Sequence, residues 1–138
     1  MNTGSLQILT WDIADSTYSF EVTICFQQLA TKLDFYAECD IWRQFGRELQ
    51  TFPLSLTHEV TLQIQQAEMA LELTAFCYDN EGHAALRVMV NDNRVQPGPY
   101  RLEFAIPTDI GGLNELGRKL AGWSLHAYDE FYGEFHTS

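Results

Sequence analysis

The feature that most constrains this chain is a change in the spacing of its apolar residues between residues 40 and 53. In this segment an apolar residue recurs every three or four positions, at Ile41, Phe45, Leu49 and Phe52. That spacing places the apolar side chains on one face of a helix, with Trp42 beside them. Asp40 is expected to accept bonds from the first free helical N–H groups, and Pro53 to end the helix. The segment therefore predicts an amphipathic helix.

Most of the remaining chain alternates apolar and polar residues, which is the period of a half-buried β-strand. Residues 18–26 show the alternation most clearly, because every even position is apolar, and residues 31–39 repeat it after a short connection. The turn chemistry of residues 78–83 favours a hairpin, and therefore antiparallel pairing. Five further segments are predicted as strands, namely residues 6–11, 58–66, 68–78, 86–90 and 100–106.

A second helix is predicted after Thr108 or Asp109, either of which can cap it. Its apolar residues are spaced by three and four, at Ile110, Leu113, Leu116, Leu120 and Trp123. The predicted order is β-β-β-α-β-β-β-β-α. We therefore expect one α+β domain spanning residues 1–138, with a mainly antiparallel sheet of about seven strands and both helices packed on one face. Residues 124–138 are expected to form an acidic, aromatic C-terminal tail.

The charge of the chain limits the partners that it can attract. With 8 Lys+Arg against 19 Asp+Glu, its formal net charge is −11. Such a field repels nucleic acid and anionic membranes and favours a basic partner, although acidity that serves only solubility is the alternative. Three widely spaced cysteines are expected to be free thiols in a reducing compartment. With no signal-peptide pattern and no apolar run of about 20 residues, we expect a cytoplasmic protein.

No residue pattern identifies a catalytic, metal or cofactor site. The four histidines lack the spacing of zinc ligands, and His83 is expected to stabilise a turn. Cys39 lies between Glu38 and Asp40, whose negative charges disfavour a reactive thiolate. Gly111 and its glycine neighbour lack the lysine of a phosphate-binding loop. We therefore expect a protein that is not an enzyme and that binds no cofactor or metal.

Candidate partner-binding residues come from the tail and from the sheet face opposite the helices. Tyr36, Phe76 and Met89 interrupt an otherwise polar face, as recognition surfaces often do. The tail interleaves aromatic and acidic side chains, so it can insert rings into a partner while presenting negative charge to a basic surface. A tail that packs its rings on the sheet is the alternative. The tail candidates are Tyr128, Asp129, Glu130, Phe131, Tyr132 and Glu134.

Several strings in the chain resemble the WapI-like immunity proteins. The strings are residues 40–52, Asn80-Glu-Gly-His83, and Leu102-Glu-Phe-Ala-Ile106 followed by Asp109-Ile-Gly-Gly-Leu-Asn-Glu-Leu. The resemblance covers about residues 5–122 and implies a small cytosolic antidote that neutralises the toxin domain of a bacterial polymorphic toxin. If that toxin is a nuclease, its phosphate-binding surface is basic, and an acidic inhibitor complements it.

Two other classes of function fit the predicted fold. A concave sheet could hold a small apolar ligand between its strands and the helices. An exposed sheet edge could instead build a structural homo-oligomer. A large apolar pocket would favour the first of these alternatives, and an extensive two-fold interface would favour the second.

Overall fold

The computed structural model describes residues 2–11, 17–94, 97–124 and 129–137, apart from the side chains at positions 2, 3, 136 and 137. The α+β class and the predicted order of elements are confirmed, and one further strand forms within the predicted tail. The elements of the described ranges are β1 (Asn2–Trp11), β2 (Thr17–Phe26), β3 (Leu29–Glu38), α1 (Ile41–Gln50), β4 (Val60–Gln66), β5 (Met69–Cys77), β6 (Ala84–Asp92), β7 (Tyr100–Thr108), α2 (Ile110–Ala121) and β8 (Glu130–Thr137).

The strands are divided between two antiparallel sheets of four strands each. Sheet A has the order β3-β2-β1-β8, and sheet B has the order β4-β5-β6-β7. The division falls at α1, which carries the chain from an edge of sheet A to an edge of sheet B. The buried side chains of both sheets and both helices form one hydrophobic cluster. Each sheet therefore buries one face in a shared core and turns the other face to solvent.

One end of sheet B lies along the length of β3. Gln66, at the end of β4, donates a hydrogen bond to the backbone oxygen of Tyr36. Arg94, after β6, donates to the backbone oxygen of Asp34 at 2.8 Å, and Tyr100, at the start of β7, donates to Oγ1 of Thr31 at 3.0 Å. Because residues at or near the ends of β4, β6 and β7 meet β3 at three positions along its length, the two sheets cross at a steep angle.

A glycine permits the close approach of β1 and β7. A Cβ atom on Gly4 would lie 2.7 Å from Cγ2 of Ile106, which is closer than such contacts occur. Gly4 faces the core from β1, and Ile106 is fully buried in β7. A glycine inside a strand often marks a place where another chain segment comes close, and here it joins the two layers.

The two helices pack directly against each other. A Cβ atom on Gly117 of α2 would lie 2.6 Å from the backbone oxygen of Gly46 in α1. Nδ2 of Asn114 donates to the backbone oxygens of Leu49 and Phe52, both at 2.8 Å. These bonds join α2 to the last turn of α1 and to the residues that follow it. The helix pair is thus fixed by close backbone packing and by polar bonds.

The buried face of α1 agrees with its sequence pattern except at its first turn. Phe45, Leu49 and Phe52 are buried as predicted, whereas Ile41 is only half-buried. Trp42 is completely buried, with its ring centroid 6.2 Å from that of Phe20 in β2.

The predicted cap of α1 is wrong in one respect. Within the described residues, Asp40 holds the N-cap position without a hydrogen bond from a helical N–H to its carboxylate. Its backbone angles, φ −94° and ψ 3°, differ from the extended conformation that directs a capping side chain toward the helix. Asp109 does cap α2, because its carboxylate accepts a bond from the N–H of Gly112. Neither described helix is long and apolar enough to cross a membrane.

Candidate protein-binding face

The candidate site is the solvent-facing side of sheet A, which we call the acidic face. Alternation along each strand sends one set of side chains into the core and the other set to this face. The described residues that form it are Ser5, Gln7, Leu9, Trp11, Thr17, Ser19, Glu21, Thr23, Cys25, Ala30, Lys32, Asp34, Tyr36, Glu38, Glu130, Tyr132 and Glu134.

Strand β8 brings part of the predicted tail onto the acidic face. It pairs antiparallel with β1, and Phe131 and Phe135 point inward with exposures of 7% and 0%. Gly133 lies between them, where a Cβ atom would come 3.0 Å from Leu116 of α2. Because the inward positions of β8 pack beneath α2, the alternate residues Tyr132 and Glu134 are held on the outer side.

The start of β8 is fastened to the end of β1 by Thr10. The N–H of Thr10 donates to the backbone oxygen of Asp129 at 2.9 Å. The N–H of Asp129 donates in turn to Oγ1 of Thr10 at 2.8 Å. The carboxylate of Asp129 accepts a bond from the N–H of Glu130 at 2.8 Å. Asp129 therefore has a structural role at this junction.

Negative charge is concentrated on the acidic face. Its carboxylates are those of Glu21, Asp34, Glu38, Glu130 and Glu134. Its one described cation is Lys32, whose Nζ lies 3.3 Å from Glu21. Arg94 approaches from the rim, with Nη2 3.6 Å from the Asp34 carboxylate. The described face therefore keeps a negative balance after both cations are counted.

The solvent-facing side of sheet B lacks this charge imbalance. Along its strands the carboxylates of Glu72 and Glu103 are matched by the guanidinium groups of Arg87 and Arg101. Arg87 also lies over the ring of Phe76, with its Cζ atom 4.7 Å from the ring centroid. The contrast shows that the acidity of the chain is distributed unevenly between the two sheets.

Three large aromatic side chains are exposed among the acids. Tyr36, Tyr132 and Trp11 are 61%, 52% and 39% exposed. The hydroxyl of Tyr132 donates to Oε1 of Glu134 at 3.0 Å, and this bond to a carboxylate raises the pKa of Tyr132. Tyrosine and tryptophan offer a large apolar area together with a polar group, which suits them to anchor a protein contact.

A groove of about 380 Å³ runs between α2 and the edge of the acidic face. Glu115 in the groove pairs with Arg118, and this hydrogen-bonded pairing lowers the pKa of Glu115. Tyr132 and Glu134 belong to both the groove and the acidic face, so the two surfaces are continuous. The lining residues are Thr108, Asp109, Gly112, Glu115, Lys119, Tyr132 and Glu134.

The structure brings some of the predicted binding residues together and separates the rest. Tyr36, Glu130, Tyr132 and Glu134 share the acidic face. Phe131 faces the core, where its ring centroid is 5.3 Å from that of Trp123, so it is a packing residue rather than a surface contact.

Two other predicted contacts lie on a different surface from Tyr36. Phe76 and Met89 point outward from sheet B, because the strands form two sheets and the predicted single face does not exist. Tyr128 lies outside the described residues.

Three carboxylates and one large aromatic side chain of the acidic face were not among the predicted binding residues: Glu21, Asp34, Glu38 and Trp11. Alternation in the sequence does place Glu21 and Asp34 on the polar side of a hairpin. The missing information was the pairing of β1 with β8, which joins that hairpin to the tail.

One group of described side chains could hold a metal ion. Ligand atoms of Asp79, Glu81 and His83, in the turn between β5 and β6, lie within 4.8 Å of one another. Oδ1 of Asp79 accepts bonds from the backbone N–H groups of Glu81 and His83 at 2.9 and 3.0 Å, and Oδ2 bonds the His83 imidazole. The same carboxylate thus already closes the turn, which favours a structural role.

Comparison of the chain with protein-family models, with curated proteins and with solved structures finds no match.

Proposed function

We propose that this protein is a non-enzymatic antidote that binds a basic bacterial toxin domain through the acidic face and thereby neutralises it. The observation that carries the proposal is the concentration of carboxylates and exposed aromatic rings on one side of sheet A. Protein binding is inferred from that surface. The identification of the partner as a toxin, and the cytoplasm as the place of action, come from the resemblance to WapI-like immunity proteins.

The composition of the acidic face suits such a partner on physical grounds. Carboxylates attract a basic surface over several ångströms and accelerate encounter, whereas aromatic side chains contribute more to the lifetime of the complex. A nuclease needs cations to hold phosphate groups, and carboxylates placed over those cations would exclude its substrate. Binding alone is then sufficient for neutralisation, without any reaction.

Two features weigh against the alternative functions. Four of the seven residues that line the groove between α2 and β8 are charged and none is an aliphatic residue, which does not favour an apolar ligand. A homo-oligomer built through a sheet edge is opposed at β3, where the backbone oxygens of Tyr36 and Asp34 already accept bonds from Gln66 and Arg94 and so are not open to a second copy. A basic protein partner meets neither difficulty.

The proposal is tested with the product of the neighbouring gene as the candidate toxin. The variant Asp34→Asn/Glu130→Gln/Glu134→Gln neutralises three carboxylates of the acidic face, and the control Glu72→Gln/Glu103→Gln neutralises two carboxylates on sheet B. We expect the first variant to bind about tenfold more weakly, since each exposed ion pair contributes roughly 0.2–1 kcal/mol. It should also protect cells less well during co-expression, while the control behaves like the wild type. Equal affinities for all three proteins would overturn the proposed site.

A further inference from the structure

We infer that the partner presents a basic α-helix that lies diagonally across the acidic face. This inference rests on the proposed function and specifies which kind of element the face recognises. It follows from the positions of the five carboxylates in the register of sheet A. We call this set the acidic track: Glu134, Glu130, Glu21, Asp34 and Glu38.

The centre of the acidic track is a row that runs across all four strands. Leu9 of β1 pairs with Glu130 of β8 on one side and with Glu21 of β2 on the other. Glu21 pairs in turn with Asp34 of β3. Three of the five carboxylates therefore lie in one line, with Leu9 between them.

The ends of the acidic track lie at opposite corners of the sheet. Glu134 pairs with Ser5, and Ser5 pairs with Cys25, whereas Glu38 pairs with Thr17. The row of Glu134 therefore meets β2 at Cys25, and the row of Glu38 meets it at Thr17, eight residues or roughly 27 Å along the strand. Across the strands, β8 and β3 are separated by three strand spacings, or roughly 14 Å. The diagonal between Glu134 and Glu38 is therefore roughly 30 Å long.

On each edge strand, a tyrosine lies between two carboxylates of the acidic track. Tyr132 separates Glu130 from Glu134 on β8, and Tyr36 separates Asp34 from Glu38 on β3. Both edge strands thus present the same order of acid, tyrosine and acid. Lys32 lies off the diagonal, two residues from Asp34 on β3, with its Nζ 3.3 Å from Glu21, and it would repel a basic partner placed over that side of the sheet. A compact basic patch over one corner would meet only part of the track, whereas a long element along the diagonal would meet all five carboxylates.

The recognised element should be a helix because it lies on the face of a sheet. The N–H and C=O groups of sheet A point sideways, toward neighbouring strands or the open edges, and not out of its face, so a segment lying on this face must satisfy its own N–H and C=O groups. A helix does so internally. A helix of about 20 residues is roughly 30 Å long and 10–12 Å wide with its side chains, which matches the track and the spacing of the edge strands. At the Glu134 end, the groove beside α2 could receive one long basic side chain.

The inference is tested with two synthetic alanine-rich helical peptides of 20 residues and identical composition. One carries five arginines spread along a single helical face, and the other carries them within two adjacent turns. Binding to the full-length protein is measured by NMR titration of its backbone amides. We expect the spread peptide to bind about fivefold more tightly, since it reaches about two more carboxylates. Glu38→Gln and Glu134→Gln should each weaken it about twofold, and Glu103→Gln on sheet B should not.

The outcomes separate this inference from the proposed function. Three outcomes would overturn the diagonal helix. They are equal affinity of the two peptides, shifts of backbone amide signals at only one corner of sheet A, and no binding of either peptide. The proposed function is judged with the candidate toxin. If substitution of Glu130 and Glu134 weakened binding of the candidate toxin but substitution of Glu38 did not, the proposed function would stand and only the helix inference would be overturned.

Discussion

At the scale of single residues, Asp79 closes the turn between β5 and β6. Its carboxylate accepts two backbone N–H groups and bonds the imidazole of His83, while Gly82 supplies the positive φ of 85° that the turn requires. The hydrogen bond from His83 lowers the pKa of Asp79, and the same bond raises the pKa of His83. The sequence predicts the turn and a structural role for His83, but not its bonding partner, because spacing does not reveal how a side chain is oriented.

The pKa shifts of this pair predict a pH window of stabilisation. Asp79 contributes stability above its unfolded pKa, and this is lost as the pH falls through its lowered folded pKa. His83 contributes below its unfolded pKa, and this is lost as the pH rises through its raised folded pKa. The difference in unfolding free energy between the wild type and His83→Ala should therefore be largest near pH 4–6.5. It should shrink at higher pH.

An NMR titration measures the same coupling directly. The imidazole of His83 should titrate above the ordinary histidine value of about 6.5 and return toward it in Asp79→Asn. A His83 titration unchanged by Asp79→Asn would show that the pair does not exist in solution.

At the scale of secondary-structure elements, the crossing of α1 and α2 depends on two glycines. Gly46 and Gly117 allow the helix backbones to touch, whereas Gly111 lies on the exposed side of α2. In the sequence all three glycines simply lower helix propensity. Their different roles depend on which helix faces meet, and an amphipathic pattern predicts a buried face without naming its partner.

Alanine substitutions should separate these glycines. Gly117→Ala would place a Cβ atom 2.6 Å from the Gly46 oxygen, and we expect it to lower the unfolding free energy by about 1–3 kcal/mol. Gly111→Ala meets its nearest atom at 3.5 Å and improves helix propensity, so it should raise stability by up to about 1 kcal/mol. Urea unfolding measures both changes. Similar effects of the two substitutions would contradict the close helix crossing.

The strands show where sequence patterns suffice and where they fail. Alternation predicts seven strands, because apolar residues predominate on one side of each. It misses β8, where Gly133 occupies an inward position and breaks the apolar pattern. It also cannot divide the strands into two sheets, since steric contacts such as that between Gly4 and Ile106 join residues far apart in the chain. Tyr36, Glu130, Tyr132 and Glu134 could be proposed from the sequence, but their common face could not.

At the scale of the whole molecule, partner binding depends on the distribution of the charged residues as well as on the net charge. A formal charge of −11 indicates a basic partner without locating its contact. The fold puts five carboxylates on the solvent-facing side of sheet A, whereas the strands of sheet B present as many guanidinium groups as carboxylates on theirs. Association with a basic partner should therefore depend on one face only, and salt should slow it by screening that face.

The association rate constant with the candidate toxin, measured at about 0.05 M and 0.3 M salt, tests this claim most directly. For the wild type and for Glu72→Gln/Glu103→Gln, we predict a fall on the order of tenfold between the two salt concentrations. Asp34→Asn/Glu130→Gln/Glu134→Gln should associate more slowly at low salt and show a weaker salt dependence. Equal rate constants and equal salt dependence for all three proteins would contradict binding through the acidic face.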